Sequence, residues 1–290
     1  MSGKNKELLG GQALIEGVMM KGGQALGYAV YAPHGRLVVE RQEYTPWKKK
    51  FPFLGWIFLR GFFNLIEMLS IGVKALDFSL RIALPEEQAK QSKYEMPVSL
   101  AVSLLLTFGL FVFLPAFFFS RLQNVFSSVL LLNLLEGAAR ILIFIIFLLA
   151  VGFSRDMIRV FGFHGAEHKA VHAYEAGEEL TVENVQKYST LHPRCGTSFL
   201  LVVFVVSILV LALFGRTALF SRLLLKLLML PVVAGLSYEL VRLVCRLPGF
   251  LTNIILGPGL LLQYLTTRQP DAQMVEAAIA ALEAAKGIEG

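Results

Sequence analysis

Residues 97–119 read PVSLAVSLLLTFGLFVFLPAFFF, a run of 23 residues without a charged side chain. A helix needs about 20 largely apolar residues to cross the hydrocarbon core of a bilayer. The whole chain agrees with this interpretation, since 56% of its 290 residues are apolar and only 17% are charged. Soluble domains usually contain about 25% charged residues. The composition therefore excludes a disordered protein, disfavours a soluble globular one and predicts a mainly α-helical integral membrane protein.

Three further apolar segments follow this one, for a predicted total of four membrane-spanning helices. They extend from about Leu134 to Phe153, from Phe199 to Phe214, and from about Leu219 to Leu240. The first of these three carries Glu136 and Arg140, which lie four residues apart and can pair on one helix face. We interpret them as an ion pair of the outer leaflet rather than as part of a transport pathway.

Two other apolar stretches are predicted to lie in the membrane interface. Phe51–Leu84 carries five charged side chains and predicts one or two amphipathic interfacial helices. Phe250–Leu265 is interrupted at Gly257, Pro258 and Gly259, which predicts an interfacial or re-entrant segment.

The distribution of Lys and Arg predicts the orientation. With a cytoplasmic N-terminus, the cytoplasmic segments hold 22 of these residues, and the outer loops hold only Arg121, Arg216 and Arg222. The positive-inside rule then places both termini and the loop 154–198 in the cytoplasm, in a multi-pass protein of the cell membrane. The net charge of +6 indicates contact with anionic lipid, and we expect no nucleic-acid partner.

The N-terminal region predicts a small β unit on the cytoplasmic side. ALIEGVMM, ALGYAVYA and RLVVERQEY are three runs of strand-forming residues, separated by the turn signals KGG and PHG, and predict a three-stranded meander. The tail after Pro270 predicts a surface helix capped by Asp271. The predicted segments are 1–50 (β unit), 51–96 (interfacial helices), 97–153 (transmembrane hairpin), 154–198 (histidine-rich helix and loop), 199–241 (second hairpin) and 242–290 (interfacial segment and surface helix).

Histidines are concentrated in the loop 154–198. His164, His168 and His172 recur every fourth residue, and Glu175 falls on the same helical stripe. Two neighbouring imidazoles in this arrangement can bind one divalent ion, whereas the outer two are about 12 Å apart along the helix. A single ion would therefore take His164 with His168, or His168 with His172, and two ions are a further possibility.

Three more residues complete the predicted metal site. Glu175 is a natural third or bridging ligand, and His192 and Cys195 can fold back on the histidine helix. Imidazole with thiolate suits zinc or iron, and we favour zinc. The sequence from His164 to His168 also fits H-x-x-E-H, in which Glu167 would activate water. The plain alternatives are buried core histidines and a cysteine acting as a small hydrophobe.

The motifs GGQALIEGVMMKGG (10–23), FHGAEHKAVHAYE (163–175) and LHPRCGTSFL (191–200) resemble the YqhQ-like family of bacterial membrane proteins. That family is predicted to contain metal-dependent enzymes of unknown function. The resemblance covers residues 10–265 and implies a metal-binding protein of the bacterial inner membrane. It also draws attention to Glu16 and Glu239 as candidate catalytic residues, although Arg242 offers Glu239 a simple salt bridge.

Together these features predict a metal-dependent membrane enzyme, hydrolase-like, with its site at the boundary between cytosol and membrane. Glu167 would be the general base, and Arg194 or Arg242 would hold an anionic group. A lipid or a membrane protein would be the natural substrate. Two alternatives stay open: a membrane scaffold or assembly factor with a structural metal site, and a small transporter.

Overall fold

The computed structural model describes residues 9–286; within residues 86–96 it describes the backbone only. The described chain begins with a β-sheet and continues as helices. The strands are β1 (Gly10–Leu14), β2 (Gly17–Lys21), β3 (Ala25–Tyr31) and β4 (Leu37–Glu43). The helices are α1 (Trp47–Lys50), α2 (Leu59–Ala83), α3 (Glu86–Phe108), α4 (Leu114–Leu122), α5 (Val129–Val151), α6 (Arg155–Ala176), α7 (Val182–Gln186), α8 (Gly196–Ala212), α9 (Leu219–Val244), α10 (Gly249–Thr266) and α11 (Ala272–Ala285), and a π-helical segment, Gly109–Phe113, joins α3 to α4.

The predicted N-terminal sheet is confirmed, but it has four strands rather than three. All four are antiparallel and pair in chain order. ALIEGVMM is not one strand: β1 and β2 form a hairpin in which Leu14 pairs with Gly17. Its turn contains Glu16 at a φ of 54°, a left-handed conformation unusual for a glutamate. The sequence carried no Asn-Gly or Gly-Gly signal at this turn, which is why the strands appeared as one.

The central strands β2 and β3 are buried on both faces, so this part of the sheet is a middle layer, whereas β4 is largely exposed. Val18 and Met19 are neighbours on β2 and point to opposite faces, and both are completely buried. Val18 joins a core with α6 and α11, whereas Met19 joins a second core with Ile71 and Ala75 of α2. The sheet is thereby fixed against the histidine helix α6.

The C-terminal helix α11 is part of the main core rather than a peripheral element. Asp271 caps it as predicted, because its carboxylate accepts the Met274 N–H at 2.9 Å. The helix lies so close to β3 that a Cβ on Gly27 would be 2.1 Å from the Ala281 carbonyl oxygen. A glycine is required at this approach.

Four helices of the described chain are long and apolar enough to cross a membrane: Pro97–Leu122, Val129–Val151, Leu219–Val244 and Gly249–Thr266. The number of candidate spans equals the predicted number, but the four segments are not the same four. The predicted third span corresponds to α8, an apolar helix of 17 residues that is shorter than these four.

The predicted break at Gly257–Gly259 is wrong, because α10 continues through Pro258 without interruption. Gly259 instead allows close helix packing, since a Cβ there would be 2.9 Å from the Ser198 Cα atom. Arg222, assigned above to an outer loop, lies in α9 and is fully buried. Phe51–Leu84 contains the long helix α2, whose buried face includes Ile71 and Ala75, and which is not among the candidate spans.

Candidate metal centre

Three of the predicted ligands converge at the junction of α6, α8 and α10. One ligand atom from each of His164, His168 and Cys195 lies within 4.8 Å of the other two. Both histidines are on α6, where their four-residue spacing places them on one face. Cys195 is the N-cap residue of α8. The structure therefore brings together the predicted pair of His164 and His168, with Cys195 as the third ligand.

The two imidazole rings are oriented by main-chain carbonyls. Nδ1 of His164 is 2.8 Å from the Thr266 oxygen, and Nδ1 of His168 is 2.5 Å from the Thr190 oxygen. A carbonyl only accepts, so each Nδ1 carries the hydrogen and donates it. Both Nε2 lone pairs are then free, which is the usual arrangement of histidines that ligate a metal.

The environment of Cys195 also suits a metal ligand. Its Sγ is 3.3 Å from His164 Nε2, close to the separation of about 3.5 Å expected between sulfur and nitrogen ligands of tetrahedral zinc. The Thr197 N–H donates to Sγ at 3.4 Å. The sulfur therefore lies at the N-terminus of α8, where a backbone N–H group points at it. The donor set and its supporting hydrogen bonds fit a divalent metal ion.

Glu167 is buried beside this group and is held by the sheet. Its Oε1 accepts the Gly11 N–H at 2.9 Å, and its Oε2 is 3.5 Å from His168 Nε2. A Cβ on Gly11 would be 3.1 Å from the Glu167 Cγ and 2.4 Å from the Met19 oxygen. Strand β1 can approach the carboxylate only because this residue is glycine, a role that the sequence analysis did not foresee.

His172 and His192 form a second layer beside the three ligands. Their ring centroids are 4.6 Å apart, and that of His192 is 5.7 Å from that of His168. His172 Nε2 donates to the Leu191 carbonyl at 2.8 Å, and burial lowers the pKa of His172. Burial likewise lowers the pKa of His192, against the opposing effect of Glu167. The structure does not place either ring in the three-ligand group.

The other predicted site residues are held in ion pairs away from the three ligands. Glu175 pairs with Arg194, and its Oε2 is 3.7 Å from His192 Nε2. Glu16 pairs with Arg159. Glu239 pairs with Arg60 through two contacts of 2.5 Å, so Arg60 rather than the predicted Arg242 is its partner. Arg242 is exposed.

Two supporting residues escaped the sequence analysis. Gln263 is fully buried on α10 and bonds both the N–H and the carbonyl of His192, each at 2.8 Å. Lys169 donates to the Gln186 and Tyr188 carbonyls at 2.7 and 2.6 Å, and burial lowers its pKa. The one amide within residues 259–265, which read GLLLQYL, was the signal that could have revealed Gln263.

Comparison with known proteins places this geometry in a family. A family model described as "Protein of unknown function (DUF1385)" matches residues 56–287. The chain belongs to the DUF1385 family. It is similar to the uncharacterized protein YqhQ of Bacillus subtilis (strain 168), with 33% identity over 289 residues that cover 93% of this chain and 89% of that protein. No solved structure matches the chain. The DUF1385 match includes every candidate metal ligand, whereas β1 with Gly11 precedes it.

Proposed function

We propose that the protein binds one divalent metal ion, zinc by its donor chemistry, and acts as a metal-dependent hydrolase. The observation that carries the proposal is the set of His164, His168 and Cys195, whose ligand atoms converge with both Nε2 lone pairs free. Catalytic zinc sites have three protein ligands and keep a fourth position for water or substrate. A zinc ion bound there would lower the pKa of its water to about 7.

Glu167 is the proposed general base. Gly11 holds one carboxylate oxygen, and the other faces His168 Nε2 at 3.5 Å. A carboxylate fixed by one oxygen keeps its second oxygen available to take a proton from a water molecule beside the ligands. Gln263 and the Thr190 and Thr266 carbonyls keep the surrounding loop and both rings in place.

The proposed substrate is membrane-associated. The three ligands lie where the apolar helices α8 and α10 meet the sheet and α6, because Cys195 caps α8 and Thr266 ends α10. This junction corresponds to the boundary between the bilayer and a polar layer. We assign that layer to the cytoplasm on the charge asymmetry of the chain, 22 Lys and Arg residues against the two that remain on the other side, Arg121 and Arg216, since Arg222 is buried within α9.

One feature favours a second candidate, a structural metal site in a non-catalytic membrane protein. Glu167 Oε2 is near enough to His168 Nε2 to rotate into a fourth ligand position. Four protein ligands would close the site, as in structural zinc centres. Both the enzyme and the structural protein would bind the metal. Only the enzyme is expected to leave one coordination position of the metal open for water or substrate.

Metal analysis of the purified full-length protein tests the shared step. We expect about one zinc ion per chain in the wild type and at least a tenfold loss of bound metal in His168→Ala and Cys195→Ser. His172→Ala is the matched control, because His172 is on the same helix but outside the three-ligand group, and it should keep its metal. Metal-free wild type, or equal loss in the control, would contradict the site.

Cobalt substitution distinguishes the two candidates. A cobalt-loaded protein should show the thiolate-to-metal charge-transfer band, absent in Cys195→Ser. An open site predicts that added azide changes the visible cobalt spectrum of the wild type and of Glu167→Gln alike. If azide perturbs only Glu167→Gln, the carboxylate closes the site and the structural role is correct.

A further inference from the structure

The far end of the helical bundle contains a buried cluster of charges that the metal centre does not use. We call Glu136, Arg140, Arg222 and Lys226 the buried cationic cluster. Glu136 and Arg140 lie on α5, and Arg222 and Lys226 lie on α9. Arg222 is completely buried, and the side chains of the other three are at most 9% exposed. The predicted pair of Glu136 with Arg140 is thus one contact of a larger group.

A single carboxylate connects the three cations. Glu136 Oε2 accepts from Arg222 at 2.5 and 3.2 Å, while Oε1 pairs with Lys226 and lies 3.6 Å from Arg140 Nη2. Arg140 also donates to the Ser207 hydroxyl at 2.7 Å. Lys226 also donates at 3.1 Å to the Val112 carbonyl, in the π-helical segment. Such π-helical segments occur frequently at functional sites.

The charges of this cluster do not balance. Three cations face one carboxylate, and α4, α8 and the π-helical segment that pack around it contain no Asp or Glu. The only other carboxylate on α5 or α9 is Glu239, which is engaged by Arg60. Arginine stays protonated, so the excess persists even with a neutral Lys226. Uncompensated charge inside a membrane protein is costly and marks functional sites.

Two hydrogen-bond donors of the cluster are still free. Among the described residues, Arg222 Nη1, Arg140 Nε and Glu136 Oε1 are buried without a hydrogen-bond partner, although Oε1 forms the ion pair with Lys226. Arg222 packs its guanidinium on the Phe119 ring, with 3.9 Å from Cζ to the ring centroid, and donates to Asn133, so its position is fixed on its other sides. Buried guanidinium donors of this kind each require an acceptor, and the one carboxylate is already shared.

The surface at this end of the bundle is also positively charged. Arg121 at the end of α4 and Arg216 in the loop before α9 are both exposed. The two connections at this end, residues 123–128 and 213–218, contain no Asp or Glu. A surface of one sign beside a low-dielectric interior attracts ions of the opposite sign.

We propose that the buried cationic cluster binds a phosphate group that enters from the far end of the bundle. The geometry points to an oxyanion because the two free donors belong to two different arginines, so an ion with several oxygens can accept from both, whereas a point-like halide uses one donor at a time. Its oxygens would accept from Arg222 Nη1 and Arg140 Nε and compensate the excess charge. The phosphate group belongs either to a lipid headgroup or to a free phosphate. This site is independent of the metal centre.

Thermal unfolding of the delipidated full-length protein in detergent tests the proposal. Inorganic phosphate and micellar dioctanoyl phosphatidic acid are titrated separately against chloride at equal ionic strength. We expect a saturable rise of the unfolding temperature with at least one phosphate probe, and at least tenfold weaker binding in Arg140→Gln. Arg36→Gln is the matched control, because Arg36 is exposed in the connection between β3 and β4 and is not part of the cluster, and it should bind as the wild type does.

Each outcome decides the proposal. A response to both probes identifies a free-phosphate site, and a response to phosphatidic acid alone identifies a lipid headgroup site. No saturable response in the wild type, equal binding in Arg140→Gln, or equal stabilisation by chloride would overturn it. If Arg140→Gln does not fold, Ser207→Ala removes only the hydroxyl that orients Arg140 and should weaken binding severalfold. Metal content should stay unchanged throughout, so failure here leaves the metal centre unaffected.

Discussion

Gly165, between His164 and Glu167, brings the histidine helix into contact with the chain after α10. A Cβ at this position would be 2.1 Å from the Arg268 carbonyl oxygen. Glycine costs a helix about 1 kcal/mol relative to alanine, so its presence reflects a need for close approach. The same approach lets His164 donate to the Thr266 carbonyl at 2.8 Å.

Gly165→Ala should therefore lower the stability of the protein by about 1–3 kcal/mol, because the backbone has to move apart. It should also reduce bound metal, since His164 loses its acceptor. Gly162→Ala is the matched control on the same helix, where the nearest atom to a new Cβ is the flexible Met274 sulfur at 2.6 Å. Thermal unfolding and metal analysis of both variants check this; equal effects would show that the approach at Gly165 is unimportant.

At this scale the sequence predicted which residue types would form the site but not which of them would meet. The four-residue spacing placed His164, His168 and His172 on one stripe. That spacing alone does not distinguish the pair of His164 and His168 from the pair of His168 and His172. The choice depends on acceptors remote in sequence: Thr190 and Thr266 orient His168 and His164, whereas Leu191 takes the Nε2 hydrogen of His172. Main-chain carbonyls have no sequence signature, so no spacing rule could identify them.

At the scale of elements, α11 connects the sheet to the histidine helix. It packs on β2 and β3 and on α6, and its apolar positions are buried in a single core. The sequence predicted this helix and its cap correctly. It described a surface helix that packs on the body of the protein or on a partner, but not how completely its apolar face would be buried. Small side chains permit the close packing seen between Gly27 and Ala281.

Leu282 is the large side chain of α11 that is completely buried in this core. Leu282→Ala should destabilise the protein by about 2–5 kcal/mol, the usual cost of a cavity in a rigid core. Glu283→Ala, at the adjacent exposed position, should change stability by no more than about 0.5 kcal/mol. Thermal unfolding in detergent measures both. A Leu282→Ala protein as stable as the wild type would mean that α11 is dispensable for the core.

At the scale of the whole molecule, the contact between the two ends of the chain restricts how it crosses the membrane. The N-terminal sheet and α11 share one core, so they lie on the same side. The chain between them must therefore cross an even number of times. The described part of the chain contains five such apolar helices: the four candidate spans and the shorter α8. Because the number of crossings is even, one of the five helices does not cross the membrane if the other four do.

The contacts identify α10 as that helix. Its first turn bonds the end of α9, where Thr252 Oγ1 donates to the Val244 carbonyl at 2.9 Å, and its last turn bonds His164. The end of α9 is itself tied through Glu239 to Arg60 of α2, the helix that packs on the sheet. Both ends of α10 thus lie on the side of the metal centre. By length and composition α10 could span the membrane, although both of its ends lie on one side. The number of crossings therefore cannot be counted from the length of apolar helices alone.

Cysteine labelling tests this topology. In a Cys245→Ala background, Gly249→Cys and Ala272→Cys flank α10, and both positions are exposed. Gly10→Cys marks the sheet and Gly215→Cys the α8–α9 loop, each with open space for a Cβ. A membrane-impermeant maleimide should label positions 10, 249 and 272 in inverted vesicles and position 215 in intact cells. If position 249 is instead labelled in intact cells while position 272 is still labelled only in inverted vesicles, α10 crosses the membrane and one of the other apolar helices does not, because the shared core of sheet and α11 requires an even number of crossings.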